Sequence, residues 1–164
     1  MTDYTCTPIT GEYKTAIIDL FNYYIENSFA AYPERRVPYE FFDLFLQQCQ
    51  HYPSAVVRDA EGTVLGFGLL HAHNPMPAFD RTAEVSYFVR PEMTGNGIGS
   101  RMLEHLEEEG RKRGIACILA SISSKNEGSI RFHARHGFTE CGRFRSVGEK
   151  RGVLFDTVWM QKFI

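Results

Sequence analysis

The 164-residue sequence has no apolar run near the roughly 18 residues that a membrane-crossing helix needs, so no membrane partner is expected. It has no CxxC pair. Cys6, Cys49, Cys117 and Cys141 are scattered, which argues against a zinc ribbon or a dithiol redox site. Met1 to Cys6 lacks a basic segment followed by an apolar one, so no secretory leader is expected. The thiols are read as reduced and the location as cytoplasmic. No lipidation motif occurs at either end. There is no excess of one charge: 18 basic against 20 acidic residues leave −2, which excludes a whole-protein basic field for nucleic acid. Neither a linker nor a repeat nor a low-complexity tract divides the chain. Residues 1–164 are read as a single domain.

What is present has a clear order. Residues 12–29 place Ile17, Leu20, Phe21, Tyr24 and Ile25 at helical spacing. A second helical stretch opens at Pro38, with Phe41, Phe42, Phe45 and Leu46 on one face. The period then shortens to that of strands, over 55–59, 63–70 and 83–90. A helix over 97–113 has its basic residues Arg111, Lys112 and Arg113 at the negative end of its dipole. A strand over 115–121, a short helix over 127–136 and strands over 138–145 and 153–160 complete the pattern. The fold class is α/β (α+β), with a mixed, mostly antiparallel central sheet flanked by helices.

The informative segment is Val89 to Met102, in which a strand runs into Gly95, Gly97 and Gly99 and then directly into a helix. A helix N-terminus presents unpaired N–H groups and partial positive charge, a ready site for phosphate oxygens. Glycine lets the backbone come close to such a ligand. Two nucleotide motifs are excluded. The dinucleotide fingerprint needs a glycine where Ser100 stands, and no Gly-Lys-Ser/Thr follows for a Walker loop.

Thr94-Gly-Asn-Gly-Ile-Gly99 resembles the acetyl-CoA pyrophosphate loop of the GNAT N-acetyltransferase superfamily, with Thr94 where the family prefers Arg or Gln. Asn126-Glu-Gly-Ser129, followed by His133 and by Gly137-Phe138, resembles that family's second signature. Within it the chain looks most like the phosphinothricin N-acetyltransferase group, through Phe21 to Ser28, Thr82-Ala-Glu84, Val147 to Gly152 and Asp156 to Gln161.

The resemblance implies the GNAT acyl-CoA N-acyltransferase fold and an acetyl-CoA-dependent transfer to the primary amine of a small molecule, an amino acid or analogue. It implies acetyl-CoA as co-substrate and no metal. His71 and His73, two apart on a strand, would otherwise be the start of a metal site, but no third ligand stands at a suitable spacing. Glu84 matches the residue used as general base, and His133 stands where many members carry a tyrosine that protonates the leaving thiolate. Phe88, Val89 and Arg90 are expected to hold the pantetheine arm through their N–H groups. Thr94, Gly95, Asn96, Gly97, Ile98, Gly99 and Ser100 are expected to hold the pyrophosphate, Asn126 the arm again, and Ser129 the cofactor. Asn126 reads equally as a helix N-cap. Phe29 and Tyr32 are expected to border the acceptor. The arginine usual in the loop before the Glu84 strand is replaced by Met76, so His73 or Arg81 would have to recognise an anionic acceptor. Two alternatives stay open: a protein or peptide N-acetyltransferase, and an inactive acyl-CoA-binding module. A homodimer through the C-terminal strands is a further family expectation.

Overall fold

The computed structural model describes residues 4–164; residues 1–3, part of the start read as leaderless, lie outside them. Strand β1 (Thr5–Thr7) was not foreseen, being only three residues long. A 3₁₀ turn leads into helix α1 (Lys14–Asn27), which buries Ile17, Ile18 and Ile25 completely. Burying each such side chain contributes about 1.5–3 kcal/mol. Helix α2 (Phe42–Gln48) follows, then β2 (Ser54–Arg58), β3 (Val64–Ala72) and β4 (Thr82–Val89). The rest is α3 (Ile98–Lys112), β5 (Cys117–Ser123), α4 (Glu127–Arg135), β6 (Thr139–Lys150) and β7 (Val153–Phe163).

The strands form one seven-stranded sheet in the order β1-β2-β3-β4-β5-β7-β6. Every neighbouring pair is antiparallel except β4 and β5, which α3 joins by a crossover. Each face of the sheet carries its own core. Val85, Ile118, Ala120 and Val158 pack against Ile98, Met102, Leu103 and Leu106 of α3 on one face. Phe67, Leu69 and Phe88 pack against α1 and α2 on the other.

The parallel pairing is short. It joins Thr82–Glu84 to Cys117–Leu119 and goes no further, so β4 and β5 part beyond Glu84. On its other side β4 keeps an unbroken register with β3, from Gly66↔Val89 to Ala72↔Ala83. The sheet is therefore split at one seam while its outer pairing stays intact.

A buried ammonium ties the last hairpin to the first helix. Lys150 is 1% exposed and donates to the carbonyls of Ile25, Ser28 and Ala31 at 2.7, 2.8 and 2.6 Å. These are orphan acceptors at and just beyond the C-terminus of α1, where positive charge is favoured. Burial holds the Lys150 pKa below the ordinary lysine value.

Candidate active site

The seam between β4 and β5 is a narrow cavity of about 80 Å³, lined by Ser86, Tyr87, Phe88, Ser121, Ser123, Asn126 and His133 among others. It adjoins a cleft of about 610 Å³ lined by Val89, Thr94, Gly95, Gly97, Gly99, Ser100, Asn126, Ser129 and His136 among others. Phe88, Tyr87, Asn126 and Ser129 line both. The two signatures quoted above thus form opposite walls of one groove.

The glycines of the turn do different work. Gly97 is the residue before α3 and has φ +81°, a left-handed conformation that a side chain rarely adopts. No side chain caps this helix, and its first turn holds no acidic residue, so its N–H groups and positive dipole end face the cleft uncompensated. Gly99 is needed for packing: a Cβ there would lie 3.3 Å from the Phe132 ring of α4. Ile98 sends its side chain into the core, 1% exposed, leaving only its backbone to the turn. Asn96 lies on the outer side, in a separate hollow with Tyr4 and Arg101. Asn126 caps α4, its Oδ1 accepting from the Ser129 N–H at 3.2 Å, and also lines the cleft.

The expectation for Phe88, Val89 and Arg90 divides. The Arg90 N–H donates to the Leu65 carbonyl at 2.7 Å. In an antiparallel ladder successive residues turn their N–H groups to alternate sides. Phe88 therefore also faces β3, and the N–H groups of Tyr87 and Val89 face the seam. The Val89 carbonyl points there too, and the Tyr24 hydroxyl donates to it at 2.5 Å. Burial pushes the Tyr24 pKa up to about 12, so that hydroxyl keeps its proton. The Arg90 guanidinium is held by the Val64 carbonyl at 2.6 Å, away from the seam.

His133 is buried, 3% exposed, and both of its ring nitrogens are occupied. Nδ1 lies 2.7 Å from the Ser129 carbonyl, which only accepts, so Nδ1 carries the hydrogen. Nε2 is then an acceptor, and the Tyr87 hydroxyl donates to it at 2.5 Å. Burial pushes the His133 pKa down to about 4 and the Tyr87 pKa well above the ordinary tyrosine value. A neutral imidazole whose Nδ1–H is held by a carbonyl has no free proton for the seam, and the Tyr87 hydroxyl directs its own at Nε2. Tyr87 escaped the sequence reading, although strand alternation already sets it on the face opposite Glu84 and Phe88.

Glu84 lies on the α1 face of β4, directly opposite His71 on β3. Its Oε1 is 2.8 Å from Nδ1 of His73. Strand β3 ends at Ala72, so His73 does not alternate with His71 on a strand. It folds back over the sheet, with its ring 6.1 Å from Trp159 and 5.9 Å from Phe79. Phe29 and Tyr32 pack on Phe155 of β7 at 5.9 and 5.6 Å, and the Tyr32 hydroxyl lies beside Ser121. These residues wall the open face of the sheet next to the seam. Arg81 is not among them. It is exposed at the start of β4, where its carbonyl accepts from Ala116 and Cys117.

An uncapped helix end beside a glycine turn is a setting for phosphate oxygens, and the parted strand pair opens next to it. The sequence model of the Acetyltransferase (GNAT) family matches residues 17–138. The chain belongs to this family. Methionine sulfoximine/methionine sulfone acetyltransferase of Pseudomonas aeruginosa is 38% identical over 68% of this chain and 65% of its own length, just under two thirds of that protein. The structure of a GNAT-superfamily phosphinothricin acetyltransferase from Sinorhizobium meliloti in complex with acetyl-CoA superposes with a TM-score of 0.93 at 27% identity, over 100% of this chain and 89% of that one. A ribosomal-protein-alanine N-acetyltransferase from Brucella melitensis superposes with a TM-score of 0.90 at 31% identity, over 98% and 99%. The mixed, mostly antiparallel GNAT sheet that the resemblance implies is the fold observed, with seven strands.

Proposed function

We propose that this acetyltransferase moves the acetyl group of acetyl-CoA to the primary amine of a small amino acid or amino-acid analogue, of the kind named for the Pseudomonas and Sinorhizobium relatives. The observation that carries this reading is the meeting of three features at one seam. The uncapped α3 terminus opens on the cleft, the β4 and β5 strands part beside it, and Glu84 stands on the open face where they separate.

The residues have distinct tasks in this reading. Backbone N–H groups of the Gly95–Ser100 turn take the pyrophosphate, and those of Tyr87 and Val89 take the pantetheine arm and the thioester carbonyl. Preorganised donors of this kind stabilise the oxyanion as it forms. Glu84, with its partner His73, removes the proton that the acceptor ammonium must lose before attack. The amine nitrogen bonds to the thioester carbon and the carbon–sulfur bond breaks. The departing sulfur takes a proton from the Tyr87 hydroxyl, which regains one from the surplus on the new amide nitrogen.

Phe29, Tyr32 and Phe155 roof the acceptor face, which suits a compact amine. The name of the Brucella relative favours a peptide N-terminus as the second reading. The test is release of CoA thiol over a panel of free amino acids, methionine sulfoximine, phosphinothricin and short peptides, with mass spectrometry of the products. Acetylated free amino acids are expected. Turnover with peptides alone would replace the acceptor class, and tight acetyl-CoA binding with no turnover would leave only a binding module.

Residues 1–164 act as one domain in this proposal, in the cytoplasm. The assembly is a homodimer formed along β6, an edge strand of the sheet that exposes Phe144 and Val147, with Leu154 exposed on the adjoining β7. Light scattering giving the mass of one chain would remove the dimer from the proposal.

A further inference from the structure

The Glu84 carboxylate is not the outermost group of its own pair. Its side chain is 20% exposed, against 31% for that of His73, whose Nδ1 it holds at 2.8 Å. A carboxylate only accepts, so Nδ1 carries the hydrogen in this contact and the ring's other nitrogen, Nε2, is left with its lone pair. The imidazole lies over the open face between β4 and β7, steeply inclined to the rings of Trp159 and Phe79. Strand register puts Leu119 of β5 between Glu84 and Gln161, with Ser121 and Trp159 one step further along the seam. His73 therefore spans from the carboxylate to Trp159, the β7 partner of Ser121, which lines the seam.

The geometry points to Nε2 of His73 as the atom that takes the acceptor's proton, with Glu84 as the residue that fixes the ring and stabilises the imidazolium. A carboxylate holding Nδ1–H and thereby presenting Nε2 as base is a general device for activating a nucleophile. The step balances. The ammonium gives one proton to Nε2, the free amine attacks the thioester carbon, and the carbon–nitrogen bond forms as the carbon–sulfur bond breaks; the sulfur is protonated from Tyr87, which recovers a proton from the new amide nitrogen. His73 returns its proton to water after the product leaves. The inference rests on the functional reading above, and deepens it by moving the base from the carboxylate to its partner.

The decisive variant is His73→Asn. Its amide N–H stands near the present Nδ1–H, so Glu84 keeps a partner, while nothing occupies the Nε2 position. The expected result is a fall in kcat of about 10²–10⁴-fold, the usual general-base contribution, with the Kd for acetyl-CoA unchanged. In His73→Ala, added free imidazole should restore turnover in proportion to its concentration. An active wild type whose His73→Asn variant keeps its kcat would overturn this assignment and leave Glu84 as the base. A His73→Ala enzyme indifferent to imidazole but restored by the Asn substitution would reduce His73 to a positioning residue. A wild type that acetylates no amine would overturn the functional reading itself.

Discussion

The Tyr87 hydroxyl donates to Nε2 of His133 across 2.5 Å, joining β4 to α4 at the mouth of the seam. The imidazole is locked by the Ser129 carbonyl on its other side, and the phenol, its proton directed at Nε2, lines the cavity beside it. In the proposed reaction the residue marked by family position holds the phenol, and its unmarked partner protonates the departing sulfur. Replacing Tyr87 with Phe removes that proton with little change of shape. Y87F is expected to lower kcat by about 10²-fold or more, with the Kd for acetyl-CoA retained. Steady-state rates and calorimetric titration of the cofactor check both.

His133 also sets an acid limit on the fold. Its pKa is pushed from 6.5 to about 4 by burial, so between these values the unfolded chain binds a proton that the folded one refuses. Stability therefore rises with pH across this window and is lost on acidification, by about 3 kcal/mol for the full shift. Urea midpoints at pH 7 and pH 4.5 should show this, and H133Q should flatten the difference.

Gly97 needs its left-handed φ of +81°, not empty space, since a Cβ there would meet nothing within 4 Å. G97A is expected to strain the turn by about 1–2 kcal/mol and to weaken acetyl-CoA binding by about tenfold. Acetyl-CoA titration by calorimetry measures it. An unchanged Kd would place the pyrophosphate elsewhere.

Gly148 is the opposite case. A Cβ there would sit 2.2 Å from the Phe155 ring, which stacks on Tyr32 in the acceptor roof. G148A must displace that ring, at about 1–3 kcal/mol for overpacking. The expected kinetic result is a raised KM for the amine with the acetyl-CoA Kd intact. Measuring both constants on one preparation separates the acceptor pocket from the cofactor cleft.

The glycine turn was legible before folding because its signal is local. Glycines at 95, 97 and 99 after a strand and before a helix specify a turn and an open helix end whatever lies around them. The element order was legible for the same reason, and its bounds fell within a few residues of those observed. The three-residue β1 was too short to show a period.

The sequence by itself determined the elements, the turn and the position of Glu84 on its strand, because these follow from neighbours in the chain. Only tertiary structure decided what those residues touch. Lys150 meets the end of α1 across more than a hundred residues, His133 meets Tyr87 across 46, and His73 leaves its strand to meet Glu84. Which strands part, and so where a cofactor arm can lie, follows from three residues of parallel pairing that no local pattern encodes. Proton positions are set by those long-range partners, since a carbonyl or carboxylate on one ring nitrogen decides what the other can do.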